Sequence, residues 1–583
     1  MTVKSSISPK APAAGVLMLC LLAGPLGAQT PTPQELPPQL QACLESPANT
    51  DPEAAIALCQ AALMVAVNDT DRALSHFGIA HAAMAAGSYD QAMTAADHAA
   101  GLLPAPETLG LQASLRFLVN RHDEALAIAE AGLGQFPGDT GLQRTRLLSH
   151  SALGRGSEVI PDLERLHRVL PEDHEVTLAL VVALQEVGQT RRRDQILDRA
   201  IIRSPEASDL RLARAVIELP SRPSQALGDL DVVITQTPTQ NAYALRGFAR
   251  LASGDVEGAR ADMAALTDPA ALESTALVYA SSAAEALGDQ AGALIFAEQL
   301  VATASPADLP YSLTRRGDLR LAKGERDLAK ADFERAALLN PEEASAWAGL
   351  GALTLQTDPA EALVFYRRAH SLAPDDSGYE FGLAEALYWT GDYANAADAF
   401  ARLVKRFPDD AELHASLAAS LRDLDQLEAA ETPSRRAVEL APDEPSYRII
   451  RGEVLFMLGD LEGALEQLER LPADAHSANT RYMATFIHRV QENYEAALRE
   501  ANAGLALDPE NTDLMEEKGG VYYLLDDPLS AREWLEKALA INPRLGSALF
   551  LRGLVRAELG DADGAAADQA AAIAIDPALA NDL

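Results

Sequence analysis

The sequence has few cysteines, few basic residues and no long apolar segment. Its 583 residues include three cysteines, and 48 Lys and Arg stand against 85 Asp and Glu, for a formal net charge of -37 at pH 7. No stretch after residue 28 approaches 18 consecutive apolar residues, so we expect no membrane-spanning helix. The simplest interpretation of the charge is a solvated acidic surface, which repels nucleic acid and anionic lipid and favours cationic partners. We therefore predict no nucleic-acid ligand.

Motifs of catalysis and cofactor binding are missing as well. The sequence has no His-Glu-x-x-His zinc motif, no P-loop, no Gly-x-Ser-x-Gly elbow and no dinucleotide fingerprint. His76 and His81 are five residues apart, which places them on different faces of a helix. We therefore predict that the protein is not an enzyme and has no catalytic residues, no cofactor and no metal.

Proline recurs at a fixed interval. Pro509, Pro543 and Pro577 are each 34 residues apart, and similar steps lead back as far as Pro104. In most units an alanine lies twelve residues before the proline, for example Ala531. A period of about 34 residues is typical of a solenoid built from helix pairs. Seventeen residues before the proline, the turn between the two helices calls for a left-handed conformation that glycine adopts easily. Allowing for units of altered length, glycine occupies this turn at Gly87, Gly154, Gly188, Gly254, Gly288, Gly324, Gly391, Gly459 and Gly560.

These positions resemble the tetratricopeptide repeat (TPR) family. Leu551-Arg552-Gly553, Gly560-Asp561, Ala565, Ala572 and Pro577 fall where that family has its small residues, its turn and its terminal proline. The resemblance covers residues 73 to 577 and implies an all-α tetratricopeptide-repeat α-solenoid, a right-handed superhelix of antiparallel helix pairs. It predicts fifteen pairs, of which the first begins near Ala73.

Composition and the repeat marks divide the chain into five segments. Lys4 and Lys10, an apolar run over 16–23 and Leu26-Gly27-Ala28 form the pattern of a cleaved secretory signal. We therefore expect an exported protein without a lipid anchor, periplasmic if the source has two membranes. Pro433 and Pro472 predict a bend within 430–478. The predicted segments are a signal peptide at 1–28, a proline-rich linker at 29–40, a helical hairpin cap at 41–72, about eleven repeats at 73–442 and about four repeats at 443–583.

Two cysteines remain once the predicted signal, with Cys20, is removed. Cys43 and Cys59 flank an Asn49-Thr50-Asp51-Pro52 segment that reads as a turn and a helix start. The two thiols could therefore face each other across a helical hairpin. In an oxidising compartment this predicts a disulfide, with two free buried thiols as the alternative.

Arginine and aspartate recur sixteen residues apart. The arginine lies one position before the small residue of the first helix, and the separation spans the turn of a helix pair. We therefore predict structural ion pairs between the paired helices. A set of arginines that bind anionic ligands is the alternative. The predicted pairs are Arg146 with Asp162, Arg246 with Asp262, Arg316 with Asp332, and Arg552 with Asp568.

The resemblance to TPR proteins also implies a ligand groove. In that family the fifth, ninth and twelfth residues of each unit line a concave face, and aromatic and acidic residues take these places in the last six units of this chain. Such a groove suits a peptide with apolar and basic residues; the alternative is that these residues pack neighbouring helices. The predicted groove residues are Phe381, Glu385, Tyr388, Phe456, Tyr482, Phe486, Tyr523 and Phe550, with Glu453 and Glu516 among them.

Together these patterns predict an exported, non-enzymatic scaffold or adaptor for other proteins. The family resemblance and the export signal favour a role in cell-envelope assembly, secretion or polymer export. The alternative is a glycan-binding accessory subunit of a polysaccharide export machinery, since aromatic side chains also stack on sugars. The sequence makes no prediction of the oligomeric state.

Overall fold

The computed structural model describes residues 36–46 and 48–582. The predicted signal peptide and most of the predicted linker lie outside these residues. The described part of the chain forms 32 α-helices, short 3-10 turns and no strand. The helices group into two compact units, which divide between Thr303 and Ala304.

The first unit contains sixteen helices: α1 (Pro38–Leu44), α2 (Pro52–Val65), α3 (Asp69–Ala85), α4 (Tyr89–Leu102), α5 (Pro106–Leu118), α6 (His122–Gln135), α7 (Thr140–Ala152), α8 (Ile160–Val169), α9 (His174–Glu186), α10 (Thr190–Arg203), α11 (Ser208–Glu218), α12 (Pro223–Gln236), α13 (Gln240–Ala252), α14 (Val256–Ala264), α15 (Ser274–Ala286) and α16 (Gln290–Thr303).

The second unit contains sixteen more: α17 (Leu309–Ala322), α18 (Arg326–Leu339), α19 (Ala344–Thr354), α20 (Pro359–Leu372), α21 (Ser377–Trp389), α22 (Tyr393–Arg406), α23 (Ala411–Asp423), α24 (Leu427–Leu440), α25 (Pro445–Leu458), α26 (Leu461–Glu469), α27 (Ala478–Val490), α28 (Tyr494–Leu507), α29 (Thr512–Leu524), α30 (Pro528–Ile541), α31 (Gly546–Glu558) and α32 (Ala562–Ile575).

Odd-numbered helices from α3 onward are the first helices of the repeats, and even-numbered helices are the second. The fold is the predicted all-α TPR solenoid, and fifteen pairs run from α3 to α32. Each first helix packs on its own second helix, as α3 does on α4 and α31 does on α32. None of the described helices combines the length and hydrophobicity that a bilayer crossing requires.

The turns within the pairs explain why the glycines recur. All nine predicted turn glycines have a positive φ, between 71° and 88°. Four other units place Asn120, Asp425, Glu492 or Asp526 at a positive φ in the same kind of turn. Asn and Asp tolerate this conformation because their short side chains bond locally, whereas a glutamate gains no such relief. The prediction of left-handed turns is confirmed.

Recurring small residues let the helices approach one another. The thirteen alanines that lie about twelve residues before each proline are all buried, with exposed fractions of 0 to 4 %. Glycines serve the same purpose against large rings in the second unit. A Cβ added to Gly317 or Gly349 would lie within 2.6 Å of the Phe333 ring, which fills the space between α17 and α19.

The N-terminal cap is held by a disulfide. Cys43 of α1 and Cys59 of α2 are bonded, and a Cβ added to Gly78 of α3 would lie 2.6 Å from both sulfur atoms. Two predicted boundaries need correction. Pro38 is the first residue of α1, because proline is pre-organised for that position, so the predicted linker ends in a helix. The first repeat begins at Asp69 inside the predicted cap, because the Asn68 side chain caps α3.

The irregular units are accommodated by short helices. Early prolines at 269 and 472 follow helices of nine residues, α14 and α26, and 3-10 turns take up the remaining length. Pro433 lies inside α24, which continues from Leu427 to Leu440. The structure divides at 303/304 and not at the predicted 442/443, because α25 packs on both α23 and α24 across that point. The bend itself stays a prediction.

Candidate functional site

The predicted groove residues lie on the first helices of the second unit. We use the term first-helix face for the partly exposed sides of α21, α23, α25, α27, α29 and α31, on which these residues lie. All eight predicted groove residues are half-buried there. Several of them also pack against the core: the Phe381 ring meets Phe400 edge-on with centroids 5.9 Å apart, and Tyr523 and Phe550 contact the cluster around Leu535. These side chains therefore contribute both to helix packing and to the surface.

A hydrogen-bond network ties four of these helices together. The Tyr388 hydroxyl of α21 donates to Asp423 Oδ2 of α23 at 2.7 Å. Arg422 donates to Asp423 Oδ1 at 2.7 Å and also to Glu453 of α25. Asn479 of α27 donates to Glu453 Oε1 at 3.1 Å. Three of these bonds join successive first helices, and the Arg422–Asp423 bond within α23 connects them, so the network holds this part of the face in one arrangement before any ligand arrives.

The network perturbs the groups within it. Burial raises the pKa of Tyr388 to about 12, and its bond to the Asp423 carboxylate acts in the same direction. Burial would raise the pKa of Asp423, but the bonds from Arg422 and Tyr388 hold it below its usual range. Asp423 is therefore an anion that is fully engaged within the protein. Sequence reasoning missed Arg422, Asp423 and Asn479, although separations such as 31 residues between Arg422 and Glu453 come close to the repeat length.

An aromatic pair continues the face toward the C-terminus. Phe456 of α25 and Phe486 of α27 meet edge-to-face with centroids 5.3 Å apart. The Arg489 guanidinium lies 5.0 Å from the Phe486 ring centroid and donates to Glu517 Oε2 of α29 at 2.6 Å. Tyr482 packs beside them against the cluster around Leu455. This region offers two fixed rings to a ligand, with the nearby cation already neutralised.

Glu385 differs from the other acids on this face. No hydrogen bond or ion pair to another described residue satisfies its carboxylate, although the side chain is half-buried. Burial raises the pKa of Glu385 to about 7, and the neighbouring Glu412 carboxylate adds to the effect. Burial also raises the pKa of Tyr366 to about 12, and Glu385 contributes. A cation placed beside Glu385 would remove the cost of ionising it.

Two further acids on the face are partly satisfied. Burial raises the pKa of Glu453, even though the Arg422 guanidinium opposes the shift. Burial likewise raises the pKa of Glu516, while a bond from Ser547 acts in the opposite direction. The face is therefore acidic in composition, and burial raises the pKa of three of its acids, Glu385, Glu453 and Glu516.

The four arginine and aspartate pairs are in contact. Arg316 donates to Asp332 through Nε and Nη2 at 2.9 and 2.6 Å. Arg246 binds Asp262 in the same two-pronged way at 2.9 and 2.7 Å, and Arg552 binds Asp568 at 2.7 and 2.7 Å. Arg146 reaches Asp162 through Nη2 alone, at 2.8 Å.

A second arginine joins three of these pairs. Arg320, Arg250 and Arg556 lie one helical turn after the first arginine and bind the same carboxylates at 2.7 to 3.0 Å. Asp229, which has no arginine sixteen residues before it, is held by Arg211 and Arg214. Sequence reasoning missed these partners, although the spacing of four residues that marks the second arginine is visible in the sequence. The carboxylates are thus occupied within the helix pairs.

The described residues contain no cluster of three His, Cys, Asp or Glu side chains arranged to hold a metal ion.

Known proteins match this chain over its repeats. Two family models, each described as a tetratricopeptide repeat, match residues 353–421 and residues 314–377, 417–478 and 487–545.

Two curated relatives are similar to part of the chain. A tetratricopeptide repeat and J domain-containing co-chaperone, DNJ1 of Fusarium oxysporum f. sp. lycopersici, is 29 % identical over 31 % of this chain and 38 % of its own length. The human mitochondrial import receptor subunit TOM70 is 24 % identical over 40 % of this chain and 39 % of its own. The chain therefore spans about two fifths of the length of these relatives.

Solved structures also resemble the chain. The Cut9 and Hcn1 hetero-tetramer of the APC/C is similar over 83 % of this chain and 96 % of that chain, with 14 % identity and a TM-score of 0.48. The matched repeats, the left-handed turn glycines and the buried alanines lead to one conclusion. The chain is built of tetratricopeptide repeats.

Proposed function

We propose that this protein is a non-enzymatic adaptor whose first-helix face binds peptide segments that carry basic and apolar side chains. The main support for this proposal is that the half-buried Glu385 carboxylate has no partner among the described residues. A lysine or arginine of the ligand would satisfy it, and the edge-to-face rings of Phe456 and Phe486 offer apolar contact. The names of the curated relatives, a co-chaperone and an import receptor subunit, support a role in protein interaction.

A labelled peptide of lysine and leucine residues tests the charge recognition. We expect Glu385→Gln to weaken binding of the peptide by about fivefold, because the variant loses one partly exposed ion pair with the peptide. Glu361→Gln, on the exposed side of α20, removes the same charge elsewhere in the second unit and should leave the affinity unchanged. Equal binding by the two variants would refute the assignment of Glu385.

The same titration has a pH signature. The pKa of Glu385 is about 7 in the free protein. Lowering the pH through 7 therefore protonates Glu385, and the neutral carboxyl no longer forms an ion pair with the cation of the peptide. We therefore expect the peptide affinity to fall between pH 8 and pH 6 in the wild type and to change less in Glu385→Gln. An identical pH dependence in both proteins would count against a cation at this position.

The aromatic part of the face is tested separately. Tyr482→Ala combined with Phe486→Ala should abolish retention of the peptide while the circular dichroism spectrum stays that of the wild type. Leu338→Ala with Leu339→Ala removes exposed apolar side chains from α18 and is the matched control. Retention by the aromatic variant, or binding of neutral oligosaccharides in place of the peptide, would overturn the proposal in favour of a glycan ligand.

We further propose that the adaptor is exported and acts in cell-envelope assembly, secretion or polymer export. The basic and apolar pattern before residue 28 supports this location, and the bonded Cys43 and Cys59 suit an oxidising compartment. Fractionation of cells that express the full chain should place a shortened protein outside the cytoplasm. Its mass should correspond to cleavage after Ala28. A chain of full mass in the cytoplasm would refute the proposed location.

A further inference from the structure

The first unit contains a region whose charge departs from the rest of the chain. Residues 140–222 hold thirteen arginines and twelve acidic residues, a formal net charge of +1, whereas the whole chain carries -37. The residues that follow in the same unit, 223–303, hold ten acidic residues and three arginines. The basic side chains are therefore concentrated in one part of the solenoid.

Seven of these thirteen arginines lie on two second helices, α8 and α10. Arg203 of α10 donates to the Pro171 carbonyl just beyond α8 at 2.8 Å, and Arg192 of α10 pairs with Glu164 of α8 at 2.5 Å. The two helices therefore lie side by side. We call their exposed sides the arginine face, formed by Arg165, Arg168, Val169, Arg191, Arg192, Arg199, Ile202 and Arg203.

Most of the arginine face is not neutralised within the protein. Arg168, Arg191, Arg199 and Arg203 make no ion pair with any described residue, and all four are exposed. Val169 and Ile202 are 63 % and 76 % exposed on the same sides of α8 and α10. Apolar side chains that remain this exposed between unpaired cations indicate a surface suited to a partner with both carboxylates and apolar groups.

A cleft beside the face contains two further arginine contacts. It has a volume of about 350 Å³ and is lined by Arg146 and Arg165 together with Asp162, which pairs with both of them at 2.8 and 3.2 Å. Arg146 is the member of the recurring pairs that binds its aspartate through one nitrogen only, and its buried Nε has no hydrogen-bond partner among the described residues. The Nε atoms of Arg246, Arg316 and Arg552 are all bonded to their aspartates. A carboxylate that enters this cleft would meet two guanidinium groups that share one internal carboxylate, Asp162.

We propose that the arginine face docks a short acidic segment of a partner protein, with carboxylates on its arginines and apolar side chains on Val169 and Ile202. Arginine suits this partner because its planar fork binds carboxylates through two bonds. The acidic flanking repeats favour a short segment over an extended polyanion, because a long nucleic acid or a membrane surface would reach their repulsive field. This surface lies in the first unit and prefers the opposite charge to the first-helix face, so the two proposals stand or fall independently.

A fluorescein-labelled peptide of glutamate and leucine residues, added to the full chain, tests the proposal by fluorescence anisotropy. We expect Arg168→Glu with Arg203→Glu to weaken binding by about tenfold or more, since two attractive contacts become repulsive. Arg335→Glu with Arg367→Glu is the matched control, because it makes the same charge change at exposed second-helix positions of the second unit. The control should bind like the wild type, and circular dichroism should show that both variants are folded.

Three outcomes would overturn the proposal. One is equal binding by the two double variants, which would mean that the peptide responds to net charge alone. Another is unchanged affinity when Glu in the peptide is replaced by Gln. The third is tighter binding of a DNA duplex or of anionic phosphatidylserine vesicles than of the peptide, with the same loss in Arg168→Glu with Arg203→Glu, which would assign the face to a different class of partner.

Discussion

Replacing Asp332 tests how much the recurring ion pairs contribute to the stability of the solenoid. The Asp332 side chain is 5 % exposed and accepts three hydrogen bonds, two from Arg316 and one from Arg320. These guanidinium groups are themselves 17 % and 14 % exposed. Removing the carboxylate therefore leaves two cations in a poorly solvated position. Breaking a buried pair in this way costs about 3 to 5 kcal/mol, and we expect Asp332→Ala to lose stability in that range.

The arginines decide how much of that loss can be recovered. Replacing Arg316 as well removes one stranded cation but leaves Arg320, so the double variant should be intermediate. Changing Arg316, Arg320 and Asp332 together to leucine or methionine should restore most of the wild-type stability, because apolar replacement of a buried ion cluster is often neutral. Urea unfolding of the full chain, with hydrogen exchange of α17 and α18 as a local readout, measures the series.

The more exposed pair of the first unit, Arg146 with Asp162, provides the matched control. Asp162 is 36 % exposed and Arg146 is 29 % exposed, so water screens the charge that Asp162→Ala leaves behind. We expect this variant to lose about 1 kcal/mol or less. Equal losses for Asp162→Ala and Asp332→Ala, or a triple variant as unstable as Asp332→Ala, would refute the reasoning.

Three further variants test other parts of the structure. Gly78→Ala should destabilise the cap by about 1 to 3 kcal/mol, because the added Cβ would lie 2.6 Å from both sulfur atoms of the Cys43 and Cys59 disulfide. Hydrogen exchange of α1 and α2 measures the loss. Protection equal to that of the wild type would contradict the prediction. Glu492→Gly should stabilise the protein by about 1 kcal/mol, because φ is 60° there and glycine adopts it without strain; an unchanged urea midpoint would show that the turn is not strained. The pKa of Glu385 is about 7 in the folded protein, whereas the ordinary pKa of a glutamate is about 4.5, so stability should fall as the pH rises from about 4.5 to about 7, by at most about 3 kcal/mol. Urea midpoints at pH 5 and pH 8 should differ less in Glu385→Gln, and an equal difference would refute the shifted pKa.

The repeat positions were predictable because each unit places them in the same surroundings. An alanine twelve residues before the proline is buried in every unit that has one, since the second helix must approach the first closely at that point. The turn glycines follow the same logic. The sixteen-residue separation of Arg316 and Asp332 spans one helix pair, so their contact depends on local geometry alone.

Contacts between units could not be read in the same way. Tyr388 and Asp423 are 35 residues apart and Arg422 and Glu453 are 31 apart, and neither pair recurs in the other repeats. The partners of Asp229 were hidden because the unit around Pro220 has an altered length, which moves Arg214 one position from the expected register. A pattern that does not repeat offers no internal comparison within a single chain.

The sequence by itself determined the helix pairs, their turns and the small residues between them, because these follow from local conformation and a period of about 34 residues. Tertiary structure decided which charges are satisfied. Glu385 and Glu453 occupy the same position, the ninth residue, of the first helices α21 and α25, yet Arg422 and Asn479 reach only Glu453. Likewise, Arg168 of α8 and Arg203 of α10 are exposed and make no ion pair with the described residues, although the chain is rich in acidic residues. Distances between side chains of different repeats set these outcomes, and those distances exist only once the helices are stacked.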